Sequence, residues 1–369
     1  MTTTSSLAAT PLRRVRALGS WLWLAVPLGV VVVAWWHSAT LVRALGLLRQ
    51  AELAWLVPAA AAIAGVYLAR GTAYAVPLQL LGYEFPRRFL WSTALVASAA
   101  HQLIPSGGAS SYAFLTYALH QRGATSGQAS LVALIDTLSY AFALATLVLG
   151  AVVAVGVTGS ASVVGVLAAF APGFVFVALG AWLYWLQRDG ARLTRAVARV
   201  TARLERRPGL SGVEARVSRF LAEYYAGKAV IARHPAAFFR MVGFQYLAVG
   251  CDAAALYLAF LALDAPPPLW VAFLGFVAAL AGVSVAGAPG GGGSFEVIMS
   301  AFFASHGVDG ARAVAATLLY RVVAFWLPVL ASLGALVAFR RRRRELRRRP
   351  PAPEASGARR RGRRGPPPD

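Results

Sequence analysis

Apolar residues run through this chain in long blocks, and short polar or Pro/Gly-rich breaks separate them. Blocks of about 18 apolar residues or more predict membrane-crossing helices. Span 1 falls at 20–36, with Trp21, Trp23, Trp35 and Trp36 at its ends, where interfacial aromatics belong. Residues 38–52 read as a short polar loop. Span 2 starts near Leu53 and its apolar block reaches Leu81, too long for one upright crossing at about 1.5 Å per residue. A break is therefore expected around Arg70-Gly71, with Arg70 at the cytoplasmic surface as an interfacial anchor. Spans 3 to 6 follow at 128–155, 163–186, 237–263 and 314–339. Asp264 and Pro266-Pro267-Pro268 stop the fifth abruptly.

Two further apolar stretches are interrupted. The first, 89–119, is broken by Pro105-Ser106-Gly107-Gly108 and ends at Gln121-Arg122-Gly123. The second, 269–305, is broken by Pro289-Gly290-Gly291-Gly292-Gly293 just before Ser294-Phe295-Glu296. Each glycine costs a helix interior about 1 kcal/mol relative to Ala, and Pro289 has no N–H to give. Bare backbone is costly in lipid. Each stretch therefore predicts two half-helices joined by a non-helical tip, shielded by protein or facing a watery cavity. The plainer reading is an ordinary loop between two short spans, although pieces of about 16 residues are marginal for crossing.

Aligning Pro105 with Pro289 pairs Gly107 and Gly108 with Gly291 and Gly292, Ser110 with Ser294, and Gly123 with Gly307. Counting crossings from a cytoplasmic N-terminus sends the two hairpins in from opposite faces. The fold expected is all-α: a polytopic helical membrane protein with two inverted repeats, at about 53–155 and 237–339, each holding a broken re-entrant hairpin. Such symmetry places binding sites near the midplane, where broken helices meet.

Charge changes the picture in one respect. The formal net charge is +22, which invites a nucleic-acid reading. The basic residues, however, flank apolar spans, as the positive-inside rule expects, so no nucleic-acid partner is implied. The segment 187–234 holds eleven basic residues against four acids, with arginines three and four apart. It reads as amphipathic helices at the lipid surface. Residues 1–18 and the tail 340–369, with thirteen arginines, read as disordered, and both termini as cytoplasmic at the cell membrane. The tail and the basic segment would meet anionic lipid headgroups. Arg13, Arg14 and Arg16 precede span 1, but no clean small-x-small cleavage site follows it, so an uncleaved anchor is read. The lone Cys251 excludes an intramolecular disulfide, and the five histidines show no zinc spacing. No cofactor or metal is expected.

The candidate chemistry lies at the tips. Ser110 and Ser294 follow the glycines and open helices, as N-caps do. Helix N-termini carry free N–H groups and partial positive charge, a seat for a phosphate. Gly107, Gly108, Gly291 and Gly292 would let a ligand approach the backbone. Glu296 and the Tyr320-Arg321 pair lie inside apolar helices, where charges are functional candidates by default. Arg321 suits a bidentate phosphate contact. Glu296 suits either an ion pair with Arg321 or a cationic headgroup. The competing reading is a structural ion pair. Asp136 joins the candidate set, although for it and Asp252 a polar contact between helices is the plainer account. For His101 and His306, which flank the hairpins, helix-end hydrogen bonding is preferred to a titrating role.

These residues resemble a known family. Pro105-Ser106-Gly107-Gly108, Gly123 and the helix of Asp136 are similar to its first motif. Pro289 to Glu296, then Gly307, Tyr320-Arg321 and Pro328, are similar to its second. The family is the lysylphosphatidylglycerol synthase transmembrane region, a group of flippase-like membrane proteins, and the resemblance covers about 15–340. Tyr112 and Thr137 stand where its members often carry an acid and an arginine. No soluble aminoacyl-transfer domain follows, so the synthase activity is not implied. The resemblance implies movement of a phospholipid or lipid-linked molecule between leaflets. A non-transporting scaffold with a lipid-binding tail is the alternative. An intramembrane hydrolase built on Ser294 and His306 lacks a G-x-S-x-G elbow, and no Walker A pattern is present, so no enzyme activity is expected.

Overall fold

The computed structural model describes residues 38–104, 108–158, 194–195, 197, 199, 201, 212–286 and 294–348. Spans 1 and 4, the tips at 105–107 and 287–293, and the tail past 348 lie outside the described residues. Secondary structure is helical throughout those described: α1 (Ser38–Leu48), a 3₁₀ turn (Leu53–Trp55), α2 (Leu56–Leu80), α3 (Arg87–Leu103), α4 (Ala109–His120), α5 (Ser126–Thr158), α6 (Val213–Ala232), α7 (Pro235–Leu261), α8 (Leu269–Ala286), α9 (Ser294–Ser305), α10 (Gly310–Arg321), a π-helical turn (Val322–Trp326) and α11 (Leu327–Arg348). Among the described residues, four helical stretches are long and apolar enough to cross a membrane: Leu53–Leu80, Ser126–Val153, Pro235–Leu261 and Gly310–Val337. The protein is an all-α polytopic membrane protein.

Both interrupted stretches fold as paired arms. α3 packs on α4, and α8 on α9. The same neighbours recur in each half: α2 on α3 and α4 on α5, then α7 on α8 and α9 on α10. Across the halves, α2 and α7 share the largest interface, α5 packs on α8, and α11 packs on α3. Gly123 (φ 102°) and Gly307 (φ 83°), paired by the sequence alignment, both sit just past their hairpins in the left-handed region that favours glycine. The main core mixes the halves. Ala59, Ile63, Val66 and Ala69 of α2 pack with Leu256 and Phe260 of α7, Phe303 of α9 and Leu319 of α10.

Four expectations are corrected. Residues 38–48 are a helix rather than a loop. Ala44 of α1 is fully buried, Leu47 and Leu48 join the main core, and α1 packs on α10. α2 runs unbroken through Arg70-Gly71. Its 25 residues rise about 37 Å, and a few ångströms beyond the hydrocarbon thickness are absorbed by tilt. The last span continues as helix through Arg348, since arginine is a good helix former. Within 187–234, the inner face of α6 is covered by protein. Gly127 N donates to Glu223 Oε2 at 3.1 Å, and a Cβ on Gly227 would sit 2.9 Å from Leu131 of α5.

Gly71 belongs to packing, not to a break. A Cβ there would lie 2.7 Å from both Cα and Cδ1 of Trp91 on α3. Gly71→Ala is therefore expected to destabilise the fold by about 1–3 kcal/mol, the usual cost of overpacking. Gly150→Ala, which meets nothing within 4 Å, is the neutral control. Thermal unfolding in detergent compares them, and equal midpoints would refute the close-contact role.

Candidate functional site

The second hairpin carries its acid in the first turn of α9 and receives its base from the end of α10. Arg321 Nε donates to Glu296 Oε1 at 2.6 Å, with the two side chains 15% and 30% exposed. The other carboxylate oxygen, Glu296 Oε2, is buried with no hydrogen-bond partner among the described residues. The guanidinium lies over Phe295 at 4.5 Å and Phe325 at 5.4 Å. Such stacking suits arginine, whose plane is weakly hydrated. Phe325 comes from the π-helical turn that begins just after Arg321. Beneath the pair, Phe295 stacks on Tyr320 and Phe276 of α8 meets both rings edge-on.

A polar seam leads from this pair into the first half. Tyr320, next to Arg321, donates its hydroxyl to Asp252 Oδ1 of α7 at 3.0 Å. Asp252 lies within electrostatic reach of Arg70, and so does Asp136 of α5. Arg70 Nη1 donates to Ser98 Oγ of α3 at 3.3 Å, and its guanidinium lies 5.6 Å from the Tyr140 ring centre. Its Nε is buried with no hydrogen-bond partner among the described residues. Asp136 Oδ1 accepts from Gln245 Nε2 of α7 at 2.8 Å. Arg70 is thus a mid-helix cation between the two halves, not a surface anchor. The misreading followed from the assumed break: once α2 is continuous, Arg70 stands about 15 Å from its C-terminal end. Gln245 and Tyr140 were not singled out in the sequence. Nothing local marks a glutamine inside an apolar span as the partner of an acid 109 residues away, or a tyrosine as the neighbour of a distant arginine.

The remaining candidates divide. Asp136 and Asp252 each make a polar contact between helices. Ser110 is not an N-cap. Gly108, at φ 93°, precedes α4, and Ser110 Oγ instead donates to Ala100 O across the hairpin at 3.0 Å. Ser294 is the first residue of α9. Gly107, Gly291 and Gly292 lie outside the described residues. In the first half, Tyr112 and Thr137 hydrogen-bond to backbone carbonyls, those of Ser130 (3.1 Å) and Ala133 (2.9 Å). The ion-pair position is therefore built differently in the two halves. His306 Nδ1 lies 2.8 Å from Phe302 O, a helix-end contact.

The model of the lysylphosphatidylglycerol synthase transmembrane region matches residues 12–332, which takes in both hairpins and the whole seam. The chain belongs to that family. A further likeness is to a UPF0104 membrane protein of Pyrococcus horikoshii, 35% identical over 98 residues, covering 27% of this chain and 29% of that protein. In this lysylphosphatidylglycerol synthase transmembrane region, a line of charged and polar side chains runs from the second half into the first. Arg321 and Glu296 stand at one end of the seam and Asp136 at the other.

Proposed function

We propose that this protein moves a phospholipid or lipid-linked molecule between leaflets, with the anionic headgroup held at Arg321. One observation carries the reading: the Arg321–Glu296 pair, placed in apolar helices just after the second glycine run in the chain, with one carboxylate oxygen unpartnered among the described residues. Apolar residues of the same volume often stabilise a fold as well as a buried ion pair does, so such a pair is weak support for a purely structural role. A charge inside a span by default marks a substrate path. A phosphate arriving at Arg321 would take the guanidinium from Glu296. The freed carboxylate would still sit in the first turn of α9, where the helix dipole favours negative charge. The protein binds and orients; no bond is made or broken, and no enzyme activity is proposed. The test is leaflet exchange of labelled lipids by the wild type in liposomes of native lipid extract. If exchange does not exceed that of empty liposomes, the reading gives way to a membrane scaffold with a lipid-binding tail.

The proposal includes inverted repeats at the cell membrane, with both termini cytoplasmic. The recurrence of neighbour contacts in the two halves supports it, as do the matched glycines Gly123 and Gly307. In a Cys251→Ser background, single cysteines near Arg122 and near His306 are expected to react with an impermeant thiol reagent from opposite faces. Labelling of both from one side would overturn the inversion.

A further inference from the structure

A cleft of about 320 Å³ opens between α2, α3 and α7, away from the Arg321–Glu296 pair. Its volume is that of a small-ligand site. Arg87 of α3, Arg240 of α7 and Gln79 of α2 line its outer part, and all three are exposed. None of the three side chains makes a hydrogen bond or ion pair among the described residues, although the acid Glu84 also lines the cleft. Two guanidiniums and a single carboxylate thus line the cleft. The foot of the cleft is Gly71-Thr72, next in the chain to Arg70. From Gln79 to Gly71 the helix rises about 12 Å, so the cleft runs from the basic end of the bundle towards the buried cation. Apolar residues, among them Val76, Leu90 and Phe244, form part of its wall.

We infer that this cleft receives the headgroup of an anionic phospholipid from the adjacent leaflet and is the way into the polar seam. The inference rests on the carrier reading for its purpose, but the binding stands by itself. Arg87 and Arg240 supply the planar donors that phosphate geometry suits, and Gln79 a neutral donor. The apolar wall lets acyl chains stay in lipid while the headgroup enters. Two other polar side chains of the lining are already engaged: Thr72 accepts from Trp91 Nε1 at 3.2 Å, and Tyr83 donates to Gln128 Oε1. The arginines therefore carry the selectivity for charge.

The experiment uses the full chain in phosphatidylcholine vesicles doped with a photoreactive phosphatidylglycerol, and maps the crosslinked peptides by mass spectrometry. Labelling around 71–90 and 240–244 is expected. The double variant Arg87→Gln/Arg240→Gln should lower it roughly twenty-five-fold, about fivefold for each arginine near anionic lipid. Arg88→Gln removes the same charge one residue from Arg87 but does not line the cleft, and should leave labelling unchanged. Unreduced labelling in the double variant, or equal labelling by a photoreactive phosphatidylcholine, overturns the inference. Loss of labelling when inorganic phosphate is added at millimolar concentration would assign the site to free phosphate instead. Labelling in a wild type that exchanges no lipid would sink the carrier reading and keep the cleft. Exchange at the wild-type rate in the double variant would remove the cleft from the path and keep the carrier.

Discussion

Arg321→Ala is expected to slow leaflet exchange by about tenfold to a hundredfold, the loss of one charge-assisted contact to the moving headgroup. Arg321→Lys should fall between, because it keeps the charge and loses the planar fork that stacks on Phe295. Removing the guanidinium also strands Glu296 in a partly buried place, so Arg321→Ala should lose stability as well. Arg321→Ala/Glu296→Gln separates the two effects. The double variant restores the thermal midpoint in detergent by removing the stranded charge. It leaves exchange impaired if the arginine holds the substrate. Should it recover both stability and exchange, the pair is structural and the headgroup role is wrong.

Arg70→Met is expected to be the most destabilising single change in the seam, by about 3–5 kcal/mol, the usual cost of breaking a buried charge set from one side. Asp136 and Asp252 both lie within reach of that guanidinium and would face each other's field without it. Adding Asp136→Asn and Asp252→Asn should return most of the lost stability, since the amides can still meet Gln245 and Tyr320. Thermal unfolding of the single and triple variants gives the comparison. A single variant as stable as wild type would show that Arg70 is solvated rather than held between the halves.

The sequence was most legible where backbone chemistry is loudest. Proline and glycine runs located both hairpins, and the arms α3, α4, α8 and α9 fall within two residues of the expected limits. Glu296 and Arg321 were legible as a pair because charges inside apolar blocks are rare and their helices adjoin. Arg70 was misplaced for a different reason. A length argument alone cannot tell a broken helix from a tilted one, and the glycine after it reads as a breaker until Trp91 is seen against it. The α1 helix was missed because its 11 residues, though mostly apolar, are too few to cross a membrane and so gave no span signal. Ala44 is buried in the main core, where α1 packs on distant α10, and no local pattern encodes that contact. The seam itself joins α2, α5, α7 and α10, and tertiary contact of that kind leaves no periodic trace.

The sharing of Arg70 between the halves also bears on how the protein is made. Asp252 lies about 180 residues after Arg70 in the chain, so at typical synthesis rates it emerges roughly 10–40 s later. During that interval α2 is already due for membrane insertion, with Asp136 as its nearest available counter-charge and the largest of its interfaces, that with α7, not yet made. A nascent chain stalled before α7 therefore presents a charged, half-packed helix to the insertion machinery and to membrane quality control. The first half is expected to be degraded when produced alone and rescued when the second half is supplied as a separate polypeptide.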